Sequence, residues 1–145
     1  MNRYKCIIAA VDLNADTDAV TIERAQKLAG DNDAKLYLVH AIESLNAYGA
    51  PYAYPTISEV EDEISEEHKK QLMDEAEKLG IPTDALVIEI GTPNAVIVHQ
   101  AEKLKADLII VGSHSHHGLG LLLGSTADAV LHNAPCDVMA IHLKN

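Results

Sequence analysis

Apolar residues fall in short unbroken runs, separated by stretches in which they recur every three or four positions. This is the alternation of fully buried strands with amphipathic helices. The first run, Cys6 to Val11, ends at Asp12 and predicts a central strand covered on both faces. A helix capped by Asp16 or Thr17 follows, with Ile22, Ala25 and Leu28 on one side and Gly30 as its stop. Lys35 to Ile42 is a second strand. The segment from Glu43 to Ile57 carries Gly49, Pro51, Pro55 and three tyrosines, which predicts a long surface loop or lid.

Ser58 and Glu61 then form a capping box ahead of a long helix, whose buried stripe is read as Val60, Ile64, Leu72, Met73, Ala76 and Leu79, with Gly80 as its end. The six acids between Glu59 and Glu67 are read as its solvated first turns. Ala85 to Ile90 is a third strand, and Thr92 with Pro93 opens a helix bearing Val96, Ile97, Ala101 and Leu104. Asp107 to Gly112, Ser125 to Asn133 and Asp137 to Leu143 complete the series as strand, helix and strand. Nine alternating elements with four crossover helices predict an α/β, doubly wound, mostly parallel five-stranded sheet in one domain over residues 1–145.

Composition sharpens this picture at three points. The chain has no Phe or Trp although 48% of it is hydrophobic, so its core must be assembled from small aliphatic contacts. A formal net charge of −11 argues against nucleic acid and anionic membranes as partners, because both demand clustered Lys and Arg. No apolar run approaches the ~20 residues of a membrane helix and the opening MNRYKCIIAAVD does not read as a secretory signal, so the expected compartment is the cytoplasm. Cys6 and Cys136 have no CxxC spacing and are expected to be free, buried thiols.

Ligands of open α/β sheets bind beyond the carboxyl ends of strands where the winding reverses, which directs attention to the loops after the first and fourth strands. The second of these, GSHSHHGLGLLLGST from Gly112 to Thr126, combines glycines and hydroxyls and ends at a helix N-terminus. Glycines let the backbone approach an anion, and the amides at Gly124, Ser125 and Thr126 lie where the helix dipole favours phosphate. The loop is neither a Walker loop nor a dinucleotide fingerprint, since Gly118, Gly120 and Gly124 miss G-x-G-x-x-G by one residue.

A glycine loop followed by Gly-Ser-Thr behind the fourth strand resembles the nucleotide motif of the universal stress protein family. CIIAAVDLNAD, LYLVHAI and ADLIIVGSHSHHGLGLLLGSTADAVLHNAPCDVMAIHL are similar to that family from Tyr4 to Leu143. The resemblance implies strand order 3-2-1-4-5 in an adenine-nucleotide-hydrolase-like sheet, a homodimer through the last strand (Asp137 to Leu143), and ATP or ADP between the first and fourth strands, for which Mg²⁺ is a candidate counter-ion because the loop carries no Lys or Arg. Position by position, it implies Ala10, Val11 and Asp12 at the adenosine end, Ala41 offering backbone contacts to adenine, and Gly112, Gly124, Ser125 and Thr126 cradling ribose and phosphates. His114 matches the family's G-S-H segment, whereas Ser115 replaces the motif's second glycine. Eight residues separate Ser115 from Gly124 where the motif has about nine.

Two alternatives stay open on the residues themselves. No Lys or Arg occurs between Lys105 and Lys144, which favours a nucleotide-independent dimer acting through protein partners. His114, His116 and His117 offer imidazoles for Zn²⁺ or Ni²⁺ if further ligands come from elsewhere. His40 is read as a hydrogen-bonded structural residue, and His68 and His99 as helix residues without evident partners. The absence of G-x-S-x-G, H-E-x-x-H, kinase signatures and S-G-G-x-D-S argues for a binding protein rather than an enzyme.

Overall fold

A computed structural model describes residues 3–43, 54–114 and 124–143, and within these the side chains of 54–58 and 114 are not described. The elements are β1 (Cys6–Ala10), α1 (Ala15–Asn32), β2 (Lys35–Ile42), α2 (Tyr54–Lys78), β3 (Leu86–Ile90), α3 (Pro93–Leu104), β4 (Leu108–His114), α4 (Ser125–Asn133) and β5 (Asp137–Leu143). The sheet has the order β3-β2-β1-β4-β5, and every neighbouring pair is parallel. The expected α/β fold with order 3-2-1-4-5 is therefore the one observed.

The strand pleat divides the apolar runs between two cores. Ile7, Ala9, Leu38, Leu108, Ile110 and Ile141 face Ile22 and Ala25 of α1 and Leu72 and Ala76 of α2. Ile8, Val39, Ile109 and Val111 face Val96, Ile97 and Ala101 of α3 and Ala127 and Val130 of α4. Consecutive residues of one strand thus serve opposite helix layers, which is why these runs are apolar without alternation. The chain winds from β1 out to β3 and then jumps back to β4, so the crevice at the reversal lies between the carboxyl ends of β1 and β4.

Several boundaries differ from the sequence expectation. Asn14, not Asp16 or Thr17, caps α1, its side chain accepting from the Thr17 amide. The helix runs through Gly30 to Asn32, because an interior glycine costs only ~1 kcal/mol. It is stopped by Asp33, which adopts the left-handed conformation (φ 52°) that short polar residues tolerate. Helix α2 begins at Tyr54, so Ser58 lies inside it and the expected loop ends earlier; Pro55 sits in the first turn, where its missing N–H costs nothing. Val60 and Met73 of the expected stripe are exposed, while Leu72 and Ala76 are buried. A 3₁₀ turn over Thr83–Ala85 takes Ala85 out of β3. Strand β4 continues past Gly112 to His114, which pairs with Leu143.

Candidate functional site

A cavity of about 330 Å³ opens at this crevice, within the ordinary range for small-ligand sites. Ala10, Val11 and Asp12 follow β1 into it, Val39 to Ala41 border it from β2, Val111 and Gly112 form its floor, and Gly124 to Ala127 close it from α4. Of the residues singled out from the sequence, Ala10, Val11, Asp12, Ala41, Gly112, Gly124, Ser125 and Thr126 are brought together here. His114 is placed at the end of a strand instead of in a loop, and its side chain is not described. Ser115, His116 and His117 lie outside the described residues, so the phosphate-loop and metal readings that fall on them are outside the structure. Among the described residues no group of His, Cys, Asp or Glu is arranged to hold a metal ion.

The chain enters the site through a tight turn. Asp12 Oδ1 accepts from the Asn14 amide, and Leu13 between them has φ 66°, a left-handed conformation unusual for a branched residue. The turn leaves the Asp12 carboxylate exposed at the cavity mouth. Gly112 is required by close approach. A Cβ there would lie 2.5 Å from Leu143 Cδ1 and 3.3 Å from Thr21 Oγ1, so any side chain would force the Leu143 side chain to shift.

Helix α4 starts at Gly124, which has no side chain to cap the first amides. The Gly124 N–H itself donates to Ser113 Oγ at 3.0 Å, pinning the far end of the glycine loop to β4. Phosphate would therefore be received by the Ser125 to Ala127 amides and the Ser125 and Thr126 hydroxyls. Ser113 is buried and was not distinguished from the other loop hydroxyls; its place one residue beyond Gly112 on a strand was the available signal. Ser113→Ala is expected to leave the Gly124 amide unpaired and to cost about 1 kcal/mol, measured by urea denaturation.

Three further polar residues line the cavity from α1, namely Thr17, Asp18 and Thr21, and sequence reasoning missed them. Asp18 is only 4% exposed, and its Oδ1 accepts from the Asp12 amide at 3.1 Å. Burial first, and then the proximity of Glu75, push its carboxyl up to about 8. His40 was expected to be structural and hydrogen-bonded, and it is: Nδ1 lies 2.9 Å from the Val11 carbonyl and Nε2 lies 2.9 Å from His68 Nδ1. The carbonyl can only accept, so His40 carries its proton on Nδ1 and, when neutral, receives a hydrogen bond from His68. Burial lowers the His40 pKa, which maintains that neutral form. His68 is thus partnered, contrary to expectation, as is His99, whose Nδ1 lies 2.8 Å from Glu89 Oε1.

The thiols stand apart from the site. Cys6 and Cys136 are free but only half-buried, which corrects the expectation of full burial. Burial raises both, Cys136 to about 11, so neither is an activated nucleophile. Register places β4 between them, and two strand spacings of about 4.8 Å exceed the reach of a disulfide. No Lys or Arg lines the cavity among the described residues, so a bound polyphosphate must be neutralised by amides, hydroxyls and a cation. Among the described residues no helix is long and apolar enough to cross a membrane.

A family model described as the universal stress protein family matches residues 3–142. The chain is 44% identical over 144 residues to universal stress protein A homolog 2 of Coxiella burnetii, covering 99% of each chain. It is 42% identical over 142 residues to homolog 1 of the same organism, covering 97% of this chain and 98% of that one. Among solved structures, universal stress protein UspA from Lactobacillus plantarum superposes with a TM-score of 0.76 at 26% identity, over 96% of this chain and 98% of that one. A universal stress protein in complex with cAMP superposes with a TM-score of 0.61 at 25% identity, over 96% and 97%.

Proposed function

The chain belongs to the universal stress protein family, and on that premise we propose that it is a nucleotide-binding regulatory protein that takes ATP or ADP with Mg²⁺ and acts through its oligomeric contacts. The observation that carries this reading is the cavity at the β1–β4 crevice, where the α4 N-terminus, whose N-cap Gly124 offers no capping side chain, lines the cavity together with Gly112. A similar protein of known structure is in complex with cAMP, which supports an adenine nucleotide as the ligand class. In this reading Ala41 and Val39 receive the base, Asp12 the ribose, and Ser125 and Thr126 the phosphates, with Ser115 and His114 completing the loop. Mg²⁺ supplies the positive charge that the lining lacks.

Turnover is not part of the proposal. Asp18 accepts from the Asp12 amide and has its carboxyl pushed up to about 8 by burial, and both His40 nitrogens are committed, so neither is free to activate a water. The outer edge of β5 is the proposed homodimer contact in a cytoplasmic protein. Ile141 and Leu143 are buried in their own core, so a partner strand would be met by the β5 backbone, with the exposed Ala140 and His142 on the opposite sheet face beside it. Calorimetric titration of ATP into nucleotide-free protein, with and without Mg²⁺, tests the reading. One saturable site per chain, strengthened by Mg²⁺, is expected, while no uptake under either condition overturns it in favour of a nucleotide-independent partner protein.

A further inference from the structure

At the α1 wall of the cavity, two carboxyl groups from different helices meet. Asp18 of α1 and Glu75 of α2 approach within side-chain hydrogen-bonding range, and one oxygen of each, Asp18 Oδ2 and Glu75 Oε2, is buried with no hydrogen-bond partner among the described residues. Two carboxylates only accept, so such a contact is bonded only when one of them carries a proton. Asp18 Oδ1 is already occupied by the Asp12 amide, which directs the proton to the side facing Glu75. Seven residues before Glu75 on the same helix, His68 donates to His40 of β2. Helix α2 is therefore attached to the cavity wall by two polar contacts, and one of them requires a proton.

We propose that Asp18 and Glu75 hold one proton between them as a latch fastening α2 to the wall of the ligand cavity, and that its loss to solvent loosens α2 and adds a negative charge to that wall. The second consequence rests on the nucleotide reading, whereas the first does not. The charged and titratable groups facing Asp18 are Asp12, at the end of β1, and Glu75; those facing His40 are His68, Asp12 and Glu75. Burial first, and then the Glu75 carboxyl and the charge of Asp12, disfavour a charge on Asp18 and outweigh the Asp12 amide that favours it, so the proton is retained into the neutral range.

The direction of the pH dependence follows from these shifts. Asp18 binds its proton more tightly folded than unfolded, so its contribution to stability declines as pH rises from about 4 and is fully lost above about 8. His40 is shifted the other way, so its contribution grows with pH until about 6.5 and then stays constant. Between about 6.5 and 8 the latch acts unopposed by His40.

Urea unfolding of the nucleotide-free protein through that interval tests the proposal. The unfolding equilibrium constant of the parent should increase by up to about ten-fold per pH unit, whereas Asp18→Asn, whose amide donates to Glu75 without titrating, should lose that slope. Glu75→Gln supplies the same donor from the other side and serves if the first variant does not fold. An equal slope in parent and variants, or an Asp18 carboxyl carbon resonance that titrates in the ordinary carboxylate range, overturns the latch. Titration with Mg-ATP separates the two readings. Affinity should weaken on the order of ten-fold from pH 6.5 to 8.5 in the parent and hold constant in Asp18→Asn. A parent that binds no ATP at either pH overturns the nucleotide reading, while the unfolding profile still decides the latch.

Discussion

A Gly124→Asp variant is expected to be at least as stable as the parent and to lose about a hundred-fold or more in affinity for ATP, ~2.7 kcal/mol. The two effects have one cause. Gly124 caps α4 with φ −58° and ψ 152°, a backbone conformation open to any L residue, so aspartate enters without backbone strain. Its carboxylate would then accept from the amides at the second or third position of the helix, to which Gly124 offers no side-chain cap. Those are the amides offered to phosphate, and the added charge repels what its oxygens displace. Thermal unfolding with calorimetric titration of the same preparation measures both. A variant that keeps its ATP affinity removes α4 from the site, and one that is unfolded shows that the turn at Gly124 tolerates no side chain.

The elements that were legible in the sequence are those bounded by hard punctuation. Strand β2, helix α4 and strand β5 have the limits expected, and Gly124 and Pro135 supply the breaks on either side of α4 and ahead of β5. The start of α1 was not legible because Asn14, Asp16 and Thr17 are all competent caps. The choice among them is made by Leu13, whose left-handed turn is not foreshadowed by its residue type. Helix α2 misled for a different reason. A periodicity that counts only apolar residues assigned Val60 and Met73 to the buried stripe and passed over His68 and Glu75. These two are seven residues apart and share a face with Leu72 and Ala76, a spacing that was present in the sequence. Asp18 carried a similar signal, since it stands three and four residues before Thr21 and Ile22 on the buried side of α1. Polar residues on an apolar stripe are costly unless satisfied, and in this fold both stripes converge at the α1 wall of the cavity. Most of the cavity lining was legible because a doubly wound sheet fixes where strand ends meet. The buried polar groups at the α1 wall were not, because each is explained only by a partner on another element.

Leu72→Ala is expected to destabilise the protein by about 3 kcal/mol and to lower the melting temperature by about 10 °C, with the largest local effect on α2. Helix α2 is 25 residues long, yet among its described side chains Leu72 is the one large residue with 0% exposure; Ala76 beside it fills little volume. Truncation removes the buried methyl groups and leaves a void between α2 and the sheet face near Leu86 and Ile88 of β3, which regular strand geometry prevents from collapsing. Leu72 follows His68 by one turn and precedes Glu75 by three residues, so the same change also loosens both polar contacts of α2. Hydrogen exchange should therefore accelerate across Tyr54–Lys78 well before it does in β1 or α4. The Asp18-dependent slope of stability with pH should shrink as well, because a loosened α2 lets water reach the shared proton and removes the burial that holds it. If exchange instead accelerates uniformly, α2 unfolds only with the whole sheet and Leu72 is ordinary core. A protected α2 with the parent's pH slope would mean that the polar contacts alone are enough to hold the helix.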